Sequence, residues 1–199
     1  MKTDGAVVRE SREVVDDGAD ALLMAAREEF EAVGLSRSSL DVIARSAGIS
    51  RSTLYRRFKD KEALILAVVE RVLASTMRDL DAATRGHTPQ DAVVAAFVAA
   101  VRSLNSSRLF RRILFEDSSI IRGLVSSVRE WTVGEVAQRV SRTLRQAGAQ
   151  MPDHELLVAS ELLVRIASSY AENPSPLIPF DDEATVRTFA QHYLANLVY

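Results

Sequence analysis

Apolar residues recur at helical spacing along nearly the whole chain, and the pattern stops where Gly, Pro or small polar residues intervene. No pair of alternating segments offers a sheet, so the periodicity confines the chain to a helical fold. Leu22, Leu23, Ala26, Phe30 and Val33 trace a first helix over about 17–33, ending at Gly34, a residue suited to a left-handed cap. Ser39 precedes a short second helix with Leu40, Ile43, Ala44 and Ala47, stopped by Gly48. Ser50 caps a third, holding Leu54 and Phe58, and Asp60 a fourth, with Leu64, Ile65, Val68, Val69, Val72 and Leu73, that runs to about Thr84. Thr88-Pro89 opens a helix with Val93, Ala96, Phe97, Ala100, Val101 and Leu104. After Asn105-Ser106-Ser107 come Leu109, Phe110, Ile113, Leu114 and Phe115, then a long pattern from Ile120 to Leu144 that stops at Gly148. Pro152 opens a helix with Leu156, Leu163, Ile166 and Tyr170, and the loop Asn173 to Pro179 leads to a last one with Val186, Phe189, Ala190, Tyr193, Leu194 and Leu197. The expected fold is all-α, with about nine helices: three at the N-terminus, then a helical bundle.

Charge is distributed unevenly over this framework. The 199 residues carry a formal charge of −2, which taken alone argues against a nucleic-acid partner. Resolved along the chain, residues 1–35 hold 4 basic and 9 acidic side chains, residues 36–62 hold 7 and 3, and residues 63–199 hold 14 and 15. The balances are −5, +4 and −1, so one short window is positive. Arginine outnumbers lysine 22 to 3, and Lys59 and Lys61 both lie in that window.

Several function classes fall away. Without cysteine there is no disulfide, thiolate metal site or thiol switch. The longest apolar run, Ala92 to Val101, is far short of the roughly 20 residues that span a bilayer, and the first residues lack the apolar core of a secretory signal; a cytoplasmic protein without a membrane partner is expected. No P-loop, G-x-G-x-x-G, H-E-x-x-H or Glu-x-x-His pair occurs, and His87, His154 and His192 lie far apart. No catalytic residue, metal or cofactor is expected.

The positive window coincides with the two short helices joined by Ala47-Gly48-Ile49-Ser50. Two helices of about two turns with a glycine-containing turn, the second rich in basic and hydroxyl side chains, describe a helix-turn-helix. Gly48 permits the turn, and Ile49 and Leu54 tuck under Ala44 and Phe30. That leaves Arg51, Ser52, Thr53, Tyr55 and Arg56 on the face free to enter a major groove. Arg donates bidentately to guanine, and hydroxyls bond bases or phosphates. Helix N-termini at Ser38 and Ser39, at Ser50 and at Lys61 are expected to bind phosphates. Because one such helix reads only a few base pairs, a two-fold dimer on a palindromic DNA operator is expected.

The stretch Ala21 to Val69 resembles the DNA-binding region of the TetR family of bacterial transcriptional regulators. The matching positions are Phe30, Gly34, Ser38-Ser39-Leu40, Ile43-Ala44, Ala47-Gly48-Ile49-Ser50, Thr53-Leu54-Tyr55, Phe58 and Lys61-Glu62-Ala63-Leu64. The resemblance implies phosphate contacts from Tyr55 and Lys61, and groove-facing residues at 51, 52, 53 and 56. Two positions depart from the family: Ser52 stands where Gly is common, and Arg57, which can reach a phosphate or pair with Asp60, where His is common. The operator therefore cannot be borrowed from relatives.

For the rest of the chain the resemblance implies a homodimer through two long helices, about 153–172 and 183–198, with Leu156, Leu163, Ala167, Phe189, Tyr193 and Leu197 as candidate interface residues. It also implies a small-molecule effector pocket, for which Phe97, Phe110, Phe115 and Trp131 are candidates, with Arg165 as a polar anchor. Residues 1–16 then read as a flexible tail, 17–62 as the DNA reader and 63–199 as the sensing and dimerisation domain. The expected function is a repressor released from its operator by the effector. The alternatives are an activator, an effector-independent binder, or a helical carrier or enzyme with a vestigial reader.

Overall fold

The computed structural model describes residues 4–113, 133–173 and 175–199, all of them helix or connecting turn without a strand. Its helices are α1 (Asp4–Val33), α2 (Leu40–Ser46), α3 (Arg51–Arg57), α4 (Lys61–Thr84), α5 (Pro89–Ser106), α6 (Arg108–Arg111), α7 (Val133–Gln146), α8 (Asp153–Glu172) and α9 (Glu183–Phe189). A π-helical turn, Ala190–Leu194, and a 3₁₀ turn, Ala195–Leu197, continue α9. No helix among the described residues is long and apolar enough to cross a membrane. The chain divides into two compact units, Met1–Arg71 and Val72–Tyr199, with the boundary inside α4.

Helix α1 starts well before the expected residue 17, so the stretch taken for a flexible tail is helical from Asp4. No proline interrupts it, and once a helix is nucleated each further residue adds a hydrogen bond, so Gly18 in its interior does not stop it. In the first unit Leu22, Phe30, Leu35, Ile43, Leu54 and Leu64 are fully buried. Burying each such side chain is worth about 1.5–3 kcal/mol. Ile49, expected beneath the turn, is only half-buried.

Helix α5 is the hub of the second unit, touching α6, α7, α8 and α9. Its N-terminus follows from the Thr88 hydroxyl, which accepts from the Asp91 N–H, and from Pro89 in the first turn. Val93, Phe97 and Val101 of α5 pack with Leu144 of α7, Leu156 of α8 and Val186 and Phe189 of α9. Arg145 ties the α7–α8 connection by donating to the carbonyls of Ala149 and Met151 and, at 2.7 Å, to Asp153. Gln150 and Met151 N–H groups donate to the Tyr199 backbone oxygen at 2.7 and 3.2 Å, closing the C-terminal end onto the same connection.

Candidate nucleic-acid interface

The turn between α2 and α3 is built from backbone rules. Ala47 ends α2, and Gly48 takes φ 66°, the left-handed region that favours glycine. The Gly48 N–H then donates to Arg45 O at 3.1 Å and the Ile49 N–H to Ala44 O at 3.0 Å, the paired bonds of a Schellman cap. Ser50, in extended backbone, starts α3: its Oγ accepts from the Thr53 N–H at 3.1 Å and lies 2.9 Å from both Ser52 Oγ and Thr53 Oγ1. Three hydroxyls are thus gathered at the first turn of α3.

Leu54 anchors α3 by its buried side, and Arg51, Ser52, Tyr55 and Arg56 stand exposed around it, with Thr53 half-buried. Arg56 has no carboxylate partner among the described residues. Arg51 is held on two sides. Its Nη1 donates to Asp41 Oδ2 of α2 at 3.3 Å, with Nε 3.1 Å from Oδ1, and its guanidinium carbon lies 5.6 Å from the centre of the Tyr55 ring. The Tyr55 side chain first, and the Asp41 carboxylate second, hold the Arg51 pKa above its ordinary value, so the group is cationic throughout the working range.

The α1–α2 turn, where phosphate contacts are expected, is braced from two helices. Ser38 is buried and its hydroxyl donates to Leu35 O at 2.8 Å, which turns its side chain inward. Ser39 sits at the N-cap of α2 without a side-chain cap bond; instead its N–H donates to Glu29 Oε1 of α1 at 3.0 Å. From α4, Lys61 Nζ donates to the carbonyls of Ser36 and Ser38 at 2.9 and 2.7 Å. Partial burial pushes the Lys61 pKa below its ordinary value, and the Glu29 carboxylate pulls the other way. Asp60 Oδ1 accepts from the Ala63 N–H and so caps α4. Arg57 does not pair with it, and Arg57 Nη1 is buried without a hydrogen-bond partner among the described residues.

The structure adds two residues that the sequence did not single out, Asp41 and Glu29. Each meets a partner ten positions away on another element, outside the three- and four-residue spacings that mark a helix face.

Candidates in the second unit are dispersed. Phe97 is buried in an aromatic cluster, its ring 5.6 Å from Phe180 and 5.7 Å from Phe189, and Phe110 is buried on α6. Arg165 is exposed and pairs with Glu161 one turn earlier, so it is a surface arginine of α8 rather than an anchor inside the unit. Phe115 and Trp131 lie outside the described residues. Of the candidate interface residues, Leu156, Leu163, Ala167, Phe189 and Leu197 pack into the unit's own core, and Tyr193 is 61% exposed. On α8 the exposed apolar residues are instead Leu157, Val158 and Leu162. Among the described residues no cluster of His, Asp and Glu is arranged to hold a metal ion.

Comparison with known proteins bears on this geometry. Residues 22–68 match the family model described as bacterial regulatory proteins, tetR family. The chain is 30% identical over 151 residues to the HTH-type transcriptional regulator SrpR of Pseudomonas putida, covering 72% of this chain and 67% of SrpR. It is 29% identical over 181 residues to the HTH-type transcriptional regulator UidR of Escherichia coli, covering 85% and 86%. Among solved structures, a putative TetR-family transcriptional regulator from a Rhodococcus species superposes with a TM-score of 0.63 at 14% identity, over 92% of this chain and 100% of that one. The putative transcriptional regulator SCO4942 from Streptomyces coelicolor gives 0.62 at 20% identity, over 90% and 97%. Those two likenesses establish the fold.

Proposed function

Because this chain belongs to the TetR family of bacterial regulatory proteins, and is a DNA-binding helix-turn-helix transcriptional regulator rather than an enzyme, we propose that it is a homodimeric repressor released from a palindromic operator by a small molecule. The observation that carries the DNA-reading part is the face of α3 on which Arg51, Ser52, Tyr55 and Arg56 stand exposed around the buried Leu54, within the one basic window of the chain.

Roles divide along this face. Arg51 and Arg56 read bases, Tyr55 and Lys61 meet phosphates, and the hydroxyls of Ser50, Ser52 and Thr53 supply short-range donors and acceptors. Ser38 and Ser39 shape the turn that presents α2. Residues 17–62 form the reader and 63–199 the sensing and dimerisation region. The exposed apolar residues of α8, Leu157, Val158 and Leu162, support dimerisation through that helix.

Release is supported by the continuity of α4. The helix begins at Lys61, whose ammonium grips the Ser36–Ser38 turn, and continues to Thr84 in the second unit. An effector that favours a different setting of α4 would shift that turn and the spacing of the paired recognition helices. Phe110 remains a candidate for the pocket wall.

Selection of sequences bound by the full-length protein from a random DNA pool tests the reading. Recovery of a two-fold symmetric motif is expected, with half-sites about 34–36 Å apart; an unenriched pool overturns it. The selected duplex then serves to screen small molecules for release.

A further inference from the structure

The pairing of Arg51 with Asp41 places a carboxylate of α2 beside the first residue of the recognition helix. Both side chains are more than half exposed, so this pair is not a device for burying charge. An exposed ion pair contributes little to stability. Its position is what is unusual: an acidic group stands where negatively charged DNA is to dock.

An unpaired arginine on an exposed helix face can fork onto a base but is equally able to bind a phosphate within reach, and the second adds affinity without sequence information. Here Nη1 donates to Asp41 Oδ2, Nε lies 3.1 Å from Asp41 Oδ1 and the guanidinium lies against Tyr55, while Nη2 is not directed at the carboxylate. The carboxylate also offsets the arginine's attraction for phosphate. Both effects favour base reading over backbone binding.

We propose that Asp41 is a positioning residue for sequence reading, holding Arg51 in the orientation that meets one base pair and withholding it from the phosphates. The inference rests on the DNA-reading function proposed for α3, and it makes Asp41 an acidic residue that raises specificity while lowering non-specific affinity. A residue that merely stabilises the α2–α3 pair would act differently, since its loss would weaken binding to every sequence.

The test uses the full-length protein, wild type and the variants Asp41→Asn, Asp41→Ser, Arg51→Ala and Asp41→Asn/Arg51→Ala, each selected against a random DNA pool. Affinities for the wild-type motif and for a scrambled duplex are then measured over a salt series, with melting temperatures alongside. Asp41→Asn and Asp41→Ser should lose preference at one position per half-site, the position lost in Arg51→Ala, with discrimination there falling roughly threefold to tenfold. Their binding to the scrambled duplex should strengthen by about twofold to tenfold at low salt, with a steeper salt dependence. The double variant should show no loss of preference beyond that of Arg51→Ala.

Three results would each overturn the proposal: a motif unchanged at every position in both Asp41 variants; a loss at a different position, making Asp41 itself the reader; or equal weakening on motif and scrambled DNA. If wild type selects no motif, the underlying function fails and the inference with it. If wild type selects one that the Asp41 variants share, the function stands and only Asp41's role is removed.

Discussion

The arginines of α3 differ in how they are held, and the difference sets what each is expected to do. Arg56 is exposed and has no carboxylate partner among the described residues, which leaves it able to fork onto guanine. Arg56→Ala should cost about 1–3 kcal/mol on the selected motif and relax preference at its position; an unchanged ratio of motif to scrambled affinity removes Arg56 from the reading set. Lys61 holds a turn and is also proposed to meet a phosphate. Two of its three ammonium donors hold the Ser36 and Ser38 carbonyls, and the third is left for a phosphate. Lys61→Met should therefore destabilise the fold by about 1–2 kcal/mol and reduce the slope of log affinity against log salt by about one per protomer. A lower melting temperature with an unchanged slope would make Lys61 a latch alone. Sequence pattern, which places Lys61 at a helix start, is blind to those two bonds because they depend on where α4 begins relative to a turn more than twenty residues earlier.

At the scale of elements, ends were more legible than faces. Gly48 holds φ 66°, and a Cβ built there meets nothing within 4 Å, so Gly48→Ala carries backbone strain without a clash. The expected cost is about 1–2 kcal/mol, read as a shifted denaturation midpoint; since the strain falls on the turn that sets α3, DNA affinity should fall with it. Asp182 caps α9 by accepting from the Thr185 N–H and hydroxyl, both at 2.8 Å. Those bonds, the backbone one first, hold its carboxyl below the usual 3.8. A lowered carboxyl pKa contributes stability that is present above the unfolded value and lost as pH falls through the folded one. Asp182→Asn should thus melt lower than wild type at neutral pH, with the gap closing below about pH 3.8. The caps at Ser50, Asp60 and Thr88 and the stop at Gly48 were readable because each is settled within a few residues. Ser39 misleads for the opposite reason: it makes no side-chain cap bond, and its own N–H is bound by Glu29, from another helix. Faces are harder still. Helix α8 carries apolar residues at 156, 157 and 158 and again at 162 and 163, so periodicity offers two overlapping stripes. Packing chose Leu156 and Leu163 for the core and left Leu157, Val158 and Leu162 outside.

For the whole molecule, a formal charge of −2 has to be reconciled with binding a polyanion. Long-range attraction is weak when an acidic segment and a nearly neutral bundle accompany a +4 reader, and charges more than about 8–10 Å apart are screened at physiological salt. Recognition must then come from short-range contacts, which the proposed dimer makes twice, so affinity is expected to depend on pairing. Val158 is 57% exposed on α8, so Val158→Glu removes no core contact and places a charge in the middle of the proposed interface. Sedimentation should show the dimer of wild type replaced by a monomer with an unchanged melting profile at low concentration. Affinity for a duplex with two half-sites should fall by about 10²–10⁴, the gain that linking two modules provides, while affinity for a single half-site stays the same. A Val158→Glu protein that remains dimeric would move the interface away from this face of α8. One that becomes monomeric yet keeps full affinity would separate DNA reading from pairing altogether.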